Sequence, residues 1–451
     1  MAIGLLIVVA GGAIVADRPL VGGVILVSLV PTLAGLDPGL PVPGLRVSQL
    51  LIVGVAATVF LTARSAPWRQ FDWVALAYVL CTLGFGLWDL VSRGAAVSSE
   101  DLGKLIGPLE FLLLYRVVVV VARSTAVRRT MLKWMMLSSV PVAVFALMQF
   151  VNLPGTRALA SAYAGETDNL KAYHTFYRAT ALFGQGHQLG DYLLAIILVG
   201  MALFLDPQHS PLRRRCMFAI LTVDGLALAA TATIAPILAA MLGVLGLAYW
   251  YGRFGRAMIA VVIVALLGAV IFSSTIAKRE TQQFSAEAQD RGVLFAGTAT
   301  HSMFPNSIVF RWEVWTKEFL PVIDEHLVTG YGPNLPPGAI WGFTESAYIT
   351  LLLRGGLPVL LLFGWILWIM ARESLAIADD RRPAARAMLV LVVAVLVMQF
   401  EENDLLDAGL AELWWVLAGV LLTSASTTAS RAGFRDGRLG IGKGSGRSER
   451  T

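Results

Sequence analysis

From residue 3 to residue 423 the chain is a succession of apolar runs, and these constrain its fold more than any other feature. The runs fall at 3–16, 20–36, 47–61, 73–91, 102–121, 131–151, 187–205, 216–231, 234–251, 257–272, 346–370, 387–400 and 408–423. A helix needs roughly 17 to 25 apolar residues to cross about 30 Å of hydrocarbon. Few of the runs alternate strictly as barrel strands do, and a helix satisfies its own backbone hydrogen bonds in lipid. A chain that is 57% hydrophobic and 14% charged, with mean hydropathy +0.72, is too apolar for an ordinary soluble globule. The expected fold is all-α: a polytopic integral membrane helical bundle of about 12–13 transmembrane helices, the spread coming from the short first run. That run has no Lys or Arg before Arg18 and no small-residue cleavage site after it, which argues against a removable signal peptide.

The net charge of +5 does not point to nucleic acid, because the basic residues sit in short loops and in the C-terminal tail. Arg64 and Arg69, Arg123 to Lys133, Arg213 to Arg215, Arg253 and Arg256, and Arg372 to Arg386 fall on alternate sides of successive runs. The positive-inside rule assigns that side to the cytoplasm. The opposite, external side then carries 152–186, 274–345 and the acidic turn EENDLLD at 401–407. Cys81 and Cys216 lie in apolar segments, have no metal-ligand spacing, and are expected to be packing residues. The chain therefore divides into N-terminal transmembrane helices (1–273, including the 152–186 external loop), a large external loop (274–345), C-terminal transmembrane helices (346–425) and a Gly, Ser and Arg rich tail (426–451) that cannot bury a core.

The 274–345 loop is far longer than the few-residue connections usual between elements and is expected to contain short helices and the working chemistry. Residues 308–320 place Ile308, Val309, Trp312, Trp315 and Phe319 along one stripe of an amphipathic helix that Pro321 is expected to end. Arg311 lies on a neighbouring face. Its donor fork suits a phosphate, and a salt bridge to Glu313 or Glu318 is the alternative. After the turn-rich GYGPNLPPG come Thr344, Glu345, Ser346 and Tyr348. Glu345 is expected in a first helical turn, either favouring the positive end of the helix dipole or serving as a general base.

The other constellation is YRATALFGQGHQLGDYL, where Arg178, Gln185, His187 and Asp191 crowd the start of a membrane run. Gly184, Gly186 and Gly190 have the wrong spacing for a dinucleotide fingerprint and instead allow close backbone approach. Arg178 is either an interfacial anchor or a ligand for an anion, and His187 a packed histidine or a base. Asp191, about one turn deeper, is costly in lipid unless it faces a cavity or a partner, and it can orient His187 or Arg178.

Together these segments resemble the O-antigen ligase and polymerase superfamily. RATALFGQGHQLGDYL resembles its arginine-plus-glycine motif. RWEVWTKEF, LVTGYGPN and ESAYITLLLRGGLPVLLLF resemble its C-terminal half, in the same order around one large loop. The resemblance implies a metal-independent glycosyltransferase of the bacterial inner membrane with its active site facing the periplasm, no cofactor, and a glycan on undecaprenyl diphosphate as donor. Acceptor glycan or lipid A core, membrane lipids and a chain-length regulator are the implied partners. Arg178 and Arg311 would hold the donor diphosphate, with Gln185 and Tyr348 beside them, and Glu345 or His187 would take the acceptor proton. Two departures stand out: Glu345 replaces the usual His of the ligases, which favours polymerase or exopolysaccharide relatives, and LAATATIAPILAA stands where many relatives carry Ser-Arg-Gly. A flippase for lipid-linked glycan is the alternative, with Glu110, Arg116 and Asp224 as its intramembrane charges, and a protein O-oligosaccharyltransferase is a third.

Overall fold

The computed structural model describes residues 18–33, 47–63, 66–94, 99–164, 177–206, 211–271, 311–334, 336, 339, 344–376, 382–400, 402–403, 405–406 and 409–422. The first apolar run, most of the large loop before Arg311, including Ile308 and Val309, and the C-terminal tail lie outside them. The regular structure described is helical: α1 (Pro19–Leu33), α2 (Val47–Thr62), α3 (Gln70–Arg93), α4 (Ser99–Val121), α5 (Thr125–Phe150), α6 (Thr156–Ala164), α7 (Gly186–Leu205), α8 (Pro211–Ala230), α9 (Ile234–Trp250), α10 (Phe254–Ile271), α11 (Leu320–Glu325), α12 (Ala347–Ala376), α13 (Arg382–Met398) and α14 (Leu410–Leu422). Among the described residues, four helices, Gln70–Ser92, Thr125–Phe150, Gly186–Leu205 and Ala347–Ala376, are long and apolar enough to cross a membrane, and several shorter apolar helices accompany them. The chain is an all-α polytopic membrane protein.

The bundle is built around α7. Every residue from Leu189 to Gly200 is buried, which suits a helix that is apolar on all sides. Helices α5, α8, α9, α13 and α14 pack on it. A second group, α1 to α4 with α12 and α14, completes the main core, where α3 lies along α12 and α14 along α4.

Charged groups inside this apolar volume are tied into helix packing. Arg116 of α4 donates to Asp72 of α3 at 2.8 Å and to the Ala66 carbonyl at 2.7 Å, and its guanidinium lies 5.0 Å from the Trp68 ring centre. Asp72 also accepts the Arg69 backbone N–H at 2.6 Å. Glu110 accepts from Gln49 of α2 at 2.8 Å, and Asp224 of α8 accepts from Ser139 of α5 at 3.0 Å. Cys81 packs half-buried against the core, whereas Cys216 sits on the exposed face of α8 and is not a packing residue.

Two sequence expectations are corrected. The run 346–370 is not one continuous helix: α12 breaks at Gly355 (φ −156°, ψ 17°) and Gly356 (φ 67°, ψ −167°). The freed backbone is taken up by the LVTGYGPN segment, with Leu357 N–H donating to the Leu327 carbonyl at 2.7 Å and Tyr331 N–H to the Leu353 carbonyl at 2.5 Å. A Cβ at Gly356 would collide with the Val328 carbonyl, and its positive φ excludes most side chains. Nor does Pro321 end the preceding helix. The turn Trp315–Phe319 is π-helical, with Leu320 N–H reaching back to the Trp315 carbonyl. That widened turn absorbs the step a proline would otherwise force, and Pro321 then occupies the first turn of α11, where its missing N–H costs nothing. The expected stripe also divides, for Trp312 is exposed while Phe319 is fully buried. Val314, Phe319 and Ile323 form a small separate core with Tyr331, Ile349 and Leu353, which seats the loop helix on the first half of α12.

Candidate active site

The first half of the site is the segment leading into α7. Gln149, fully buried at the end of α5, grips Ala181 from both sides: its Oε1 accepts the Ala181 N–H at 2.7 Å and its Nε2 donates to the Ala181 carbonyl at 3.3 Å. This holds Ala181 at a left-handed φ of 48°. Arg157 donates to the Gln149 carbonyl at 3.0 Å and lies 3.8 Å from the Tyr177 ring centre, bracing the residue before Arg178.

Arg178 points into the protein. Its Nε donates to the Thr231 carbonyl at 3.2 Å and a terminal nitrogen donates to Thr233 Oγ1 at 3.0 Å. Both acceptors belong to the break between α8 and α9, where Ala232 has φ 52°. That break lies in LAATATIAPILAA, and this is the stretch where Arg178 lodges. Gly186 makes room for it, since a Cβ there would stand 3.1 Å from Arg178 Nε and 3.2 Å from the Thr231 carbonyl. Gly190 likewise lies against Pro236, with 3.0 Å left for a Cβ. Gln185 occupies the N-cap position of α7 without a side-chain cap bond, His187 follows half-buried in the first turn, and Asp191 is completely buried one turn deeper.

The second half lies between the loop helix and α12. Arg311 Nε donates to Glu345 Oε2, so the two candidates that the sequence singled out 34 residues apart form an ion pair. Both side chains are partly open to solvent, 20% for Arg311 and 32% for Glu345. Glu345 is not in a first helical turn: it stands two residues before α12, with φ 49°. One turn along the chain from Arg311, Trp315 Nε1 donates to the Thr344 carbonyl at 2.7 Å, fastening the loop helix to the residue before Glu345. Tyr348 donates its hydroxyl to the Leu396 carbonyl at 2.6 Å and packs on Phe400, which ties the start of α12 to the end of α13.

The turn from Gln399 to Gly409 touches both halves. The Gln399 carbonyl accepts Ala347 N–H at 3.0 Å and Ser346 Oγ at 3.3 Å, and a Cβ on Gly409 would run into the Phe183 ring. Gly409 N–H in turn donates to Glu412 Oε2 at 2.6 Å at the start of α14. The two halves are therefore joined at one end of the bundle. In chemical terms this end presents two arginines and the Glu345 carboxylate beside the beginnings of α7 and α12.

Residues 216–364 match the family model described as O-antigen ligase. Over this stretch the chain is similar to the O-antigen ligase family. No curated protein matches the chain. The matched segment runs from α8 through Arg311 and Glu345 to beyond the break in α12, so it contains the ion pair and the Thr231–Thr233 receptor of Arg178. Arg178, Gln185, His187 and Asp191 precede it.

Gln149, Thr350 and Asn403 give no signal in the sequence, Trp315 reads there only as a stripe residue and not as a tether to Thr344, and Thr231 and Thr233 do not read as partners of Arg178. Gln149 and Trp315 act on backbone atoms, which carry no residue signature. Thr350 and Asn403 come together only when α12 and α13 pack.

Proposed function

We propose that the protein is a membrane glycosyltransferase that transfers or polymerises glycan from an undecaprenyl-diphosphate-linked donor onto an acceptor sugar at the periplasmic face, as an O-antigen or exopolysaccharide polymerase or ligase. The observation that carries the proposal is the Arg311–Glu345 ion pair inside the O-antigen ligase segment. A guanidinium suited to phosphate and a carboxylate suited to a sugar hydroxyl are in contact with each other. A diphosphate bearing two negative charges competes for the guanidinium and releases the carboxylate beside it.

The reaction then balances as follows. The acceptor hydroxyl loses its proton to Glu345 while its oxygen forms a bond to the anomeric carbon. The bond from that carbon to the diphosphate oxygen breaks, its electron pair stays with the leaving oxygen, and undecaprenyl diphosphate departs. Attack from the face opposite the leaving group inverts the anomeric centre. Arg311 and Arg178 stabilise the charge that develops on the diphosphate, and fixed donors accomplish this better than water because they need not reorganise. The 274–345 loop is the catalytic unit in this reading. Arg116, Glu110 and Asp224, the charges a transporter would use to line a path, are engaged between helices, which favours the enzyme over the flippase.

The test follows release of undecaprenyl diphosphate from a pool of lipid-diphosphate glycans by protein in nanodiscs, with and without chelator. Wild type is expected to release it equally in both, and Arg311→Ala to do so about 100- to 1,000-fold more slowly. Absence of release by wild type, with headgroup translocation in sealed vesicles, would overturn the proposal in favour of a transporter.

A further inference from the structure

Glu345 sits at φ 49°, in the left-handed region that a non-glycine residue occupies only when its surroundings enforce it. What enforces it is visible on either side. Thr344 Oγ1 and Thr350 Oγ1 are hydrogen-bonded to each other across the turn that contains Glu345. Asn403 closes the ring: its Oδ1 accepts from Thr350 Oγ1 at 2.8 Å, and its Nδ2 lies 3.4 Å from Thr344 Oγ1. Thr344, Ser346 and Thr350 are all buried. The adjoining backbone is clamped from the same turn, with Ala347 N–H shared between the carbonyls of Gln399 and Glu402 at 3.0 and 3.2 Å. The acidic turn after α13 thus has a task beyond topology, for it supplies the amide that locks two hydroxyls around the carboxylate residue.

We infer that Asn403, with Thr344 and Thr350, forms a positioning clasp that fixes Glu345 against Arg311. The inference rests on the role of Glu345 proposed above. None of the three clasp residues need touch substrate. They set the angle at which the carboxylate meets the guanidinium and, once a diphosphate has displaced it, the place where it meets an acceptor hydroxyl. A misplacement of about 1 Å in such a group lowers turnover by about 100-fold without weakening ground-state binding.

The experiment compares Thr350→Val, which keeps the shape and removes the hydroxyl, with Thr350→Ser, which keeps the hydroxyl. Asn403→Ala serves as the second site. Each variant is assayed in nanodiscs for kcat and for KM of the lipid-diphosphate donor. Separately, a double-mutant cycle of Arg311→Ala and Glu345→Ala is read as non-additivity in Tm, in the wild-type and in the Thr350→Val background. The expected result is a kcat lowered about 30- to 100-fold in Thr350→Val and Asn403→Ala with donor KM within about twofold of wild type, near-normal kcat in Thr350→Ser, and loss of the Arg311–Glu345 non-additivity in Thr350→Val. Unchanged kcat in folded Thr350→Val and Asn403→Ala would overturn the inference. So would equal damage by Thr350→Ser, or a non-additivity that survives Thr350→Val. If wild type shows no transfer while Thr350→Val still abolishes the non-additivity, the clasp stands and the transferase reading falls.

Discussion

Replacing Glu345 by Gln is expected to lower kcat for glycan transfer by about 100- to 10,000-fold, the range that a positioned proton acceptor contributes. The substitution keeps size and shape, so the left-handed turn and the clasp around it survive. It removes the charge that pairs with Arg311 and the capacity to accept the proton from an acceptor hydroxyl. The two losses act on different quantities, the first on donor binding and the second on turnover. Without a competing carboxylate, the Arg311 guanidinium is more available to a diphosphate, so donor KM should stay level or fall while kcat collapses. A variant that lost kcat and donor affinity in equal measure would mark Glu345 as a structural residue of the turn. Steady-state kinetics over a range of donor concentrations separates the two outcomes.

Asp72→Ala is expected to destabilise the bundle by about 3–5 kcal/mol, the cost of leaving one partner of a buried ion pair alone. Asp72 and Arg116 have side chains only 1% and 8% exposed, and Asp72 accepts both the Arg116 guanidinium and the Arg69 N–H. Its removal strands a guanidinium between α3 and α4 whose remaining contacts are the Ala66 carbonyl and the Trp68 ring. Replacing both partners, as in Asp72→Leu with Arg116→Met, removes the stranded charge as well and should recover most of the loss. Unfolding in mixed detergent and SDS micelles measures both. Equal destabilisation by the single and double replacements would show that shape at this site, rather than the unpaired charge, carries the effect.

The membrane bundle was legible because hydrocarbon thickness imposes a length on every apolar run, and a length can be counted along a sequence. The break in α12 was not counted, although Gly355, Gly356 and Pro358 stand together within the run, because hydropathy averages over them. Its meaning depends on the 327–331 segment lying against it, and an irregular segment has no period to announce its partner. Arg311 and Glu345 each stood out in the sequence as candidates. Their pairing did not, since Glu313 and Glu318 lie closer in sequence and offered a local partner. Arg178 was legible from its place at the start of a membrane run beside three glycines. Its receptor was hidden because it includes a backbone carbonyl exposed where α8 gives way to α9. Pro321 misled for a related reason: a proline stops a regular helix, and a π-helical turn just before it lets the chain continue.

Arg311 is proposed to exchange Glu345 for the donor diphosphate. Equilibrium binding of undecaprenyl diphosphate to wild type, Glu345→Gln and Arg311→Ala in nanodiscs tests it most directly. Binding at least as tight in Glu345→Gln as in wild type, and weakened about tenfold or more in Arg311→Ala, is the predicted result, since a charge-assisted contact to a phosphate is worth about 1.5–3 kcal/mol. Equal weakening in both variants, or affinity untouched by Arg311→Ala, would contradict it.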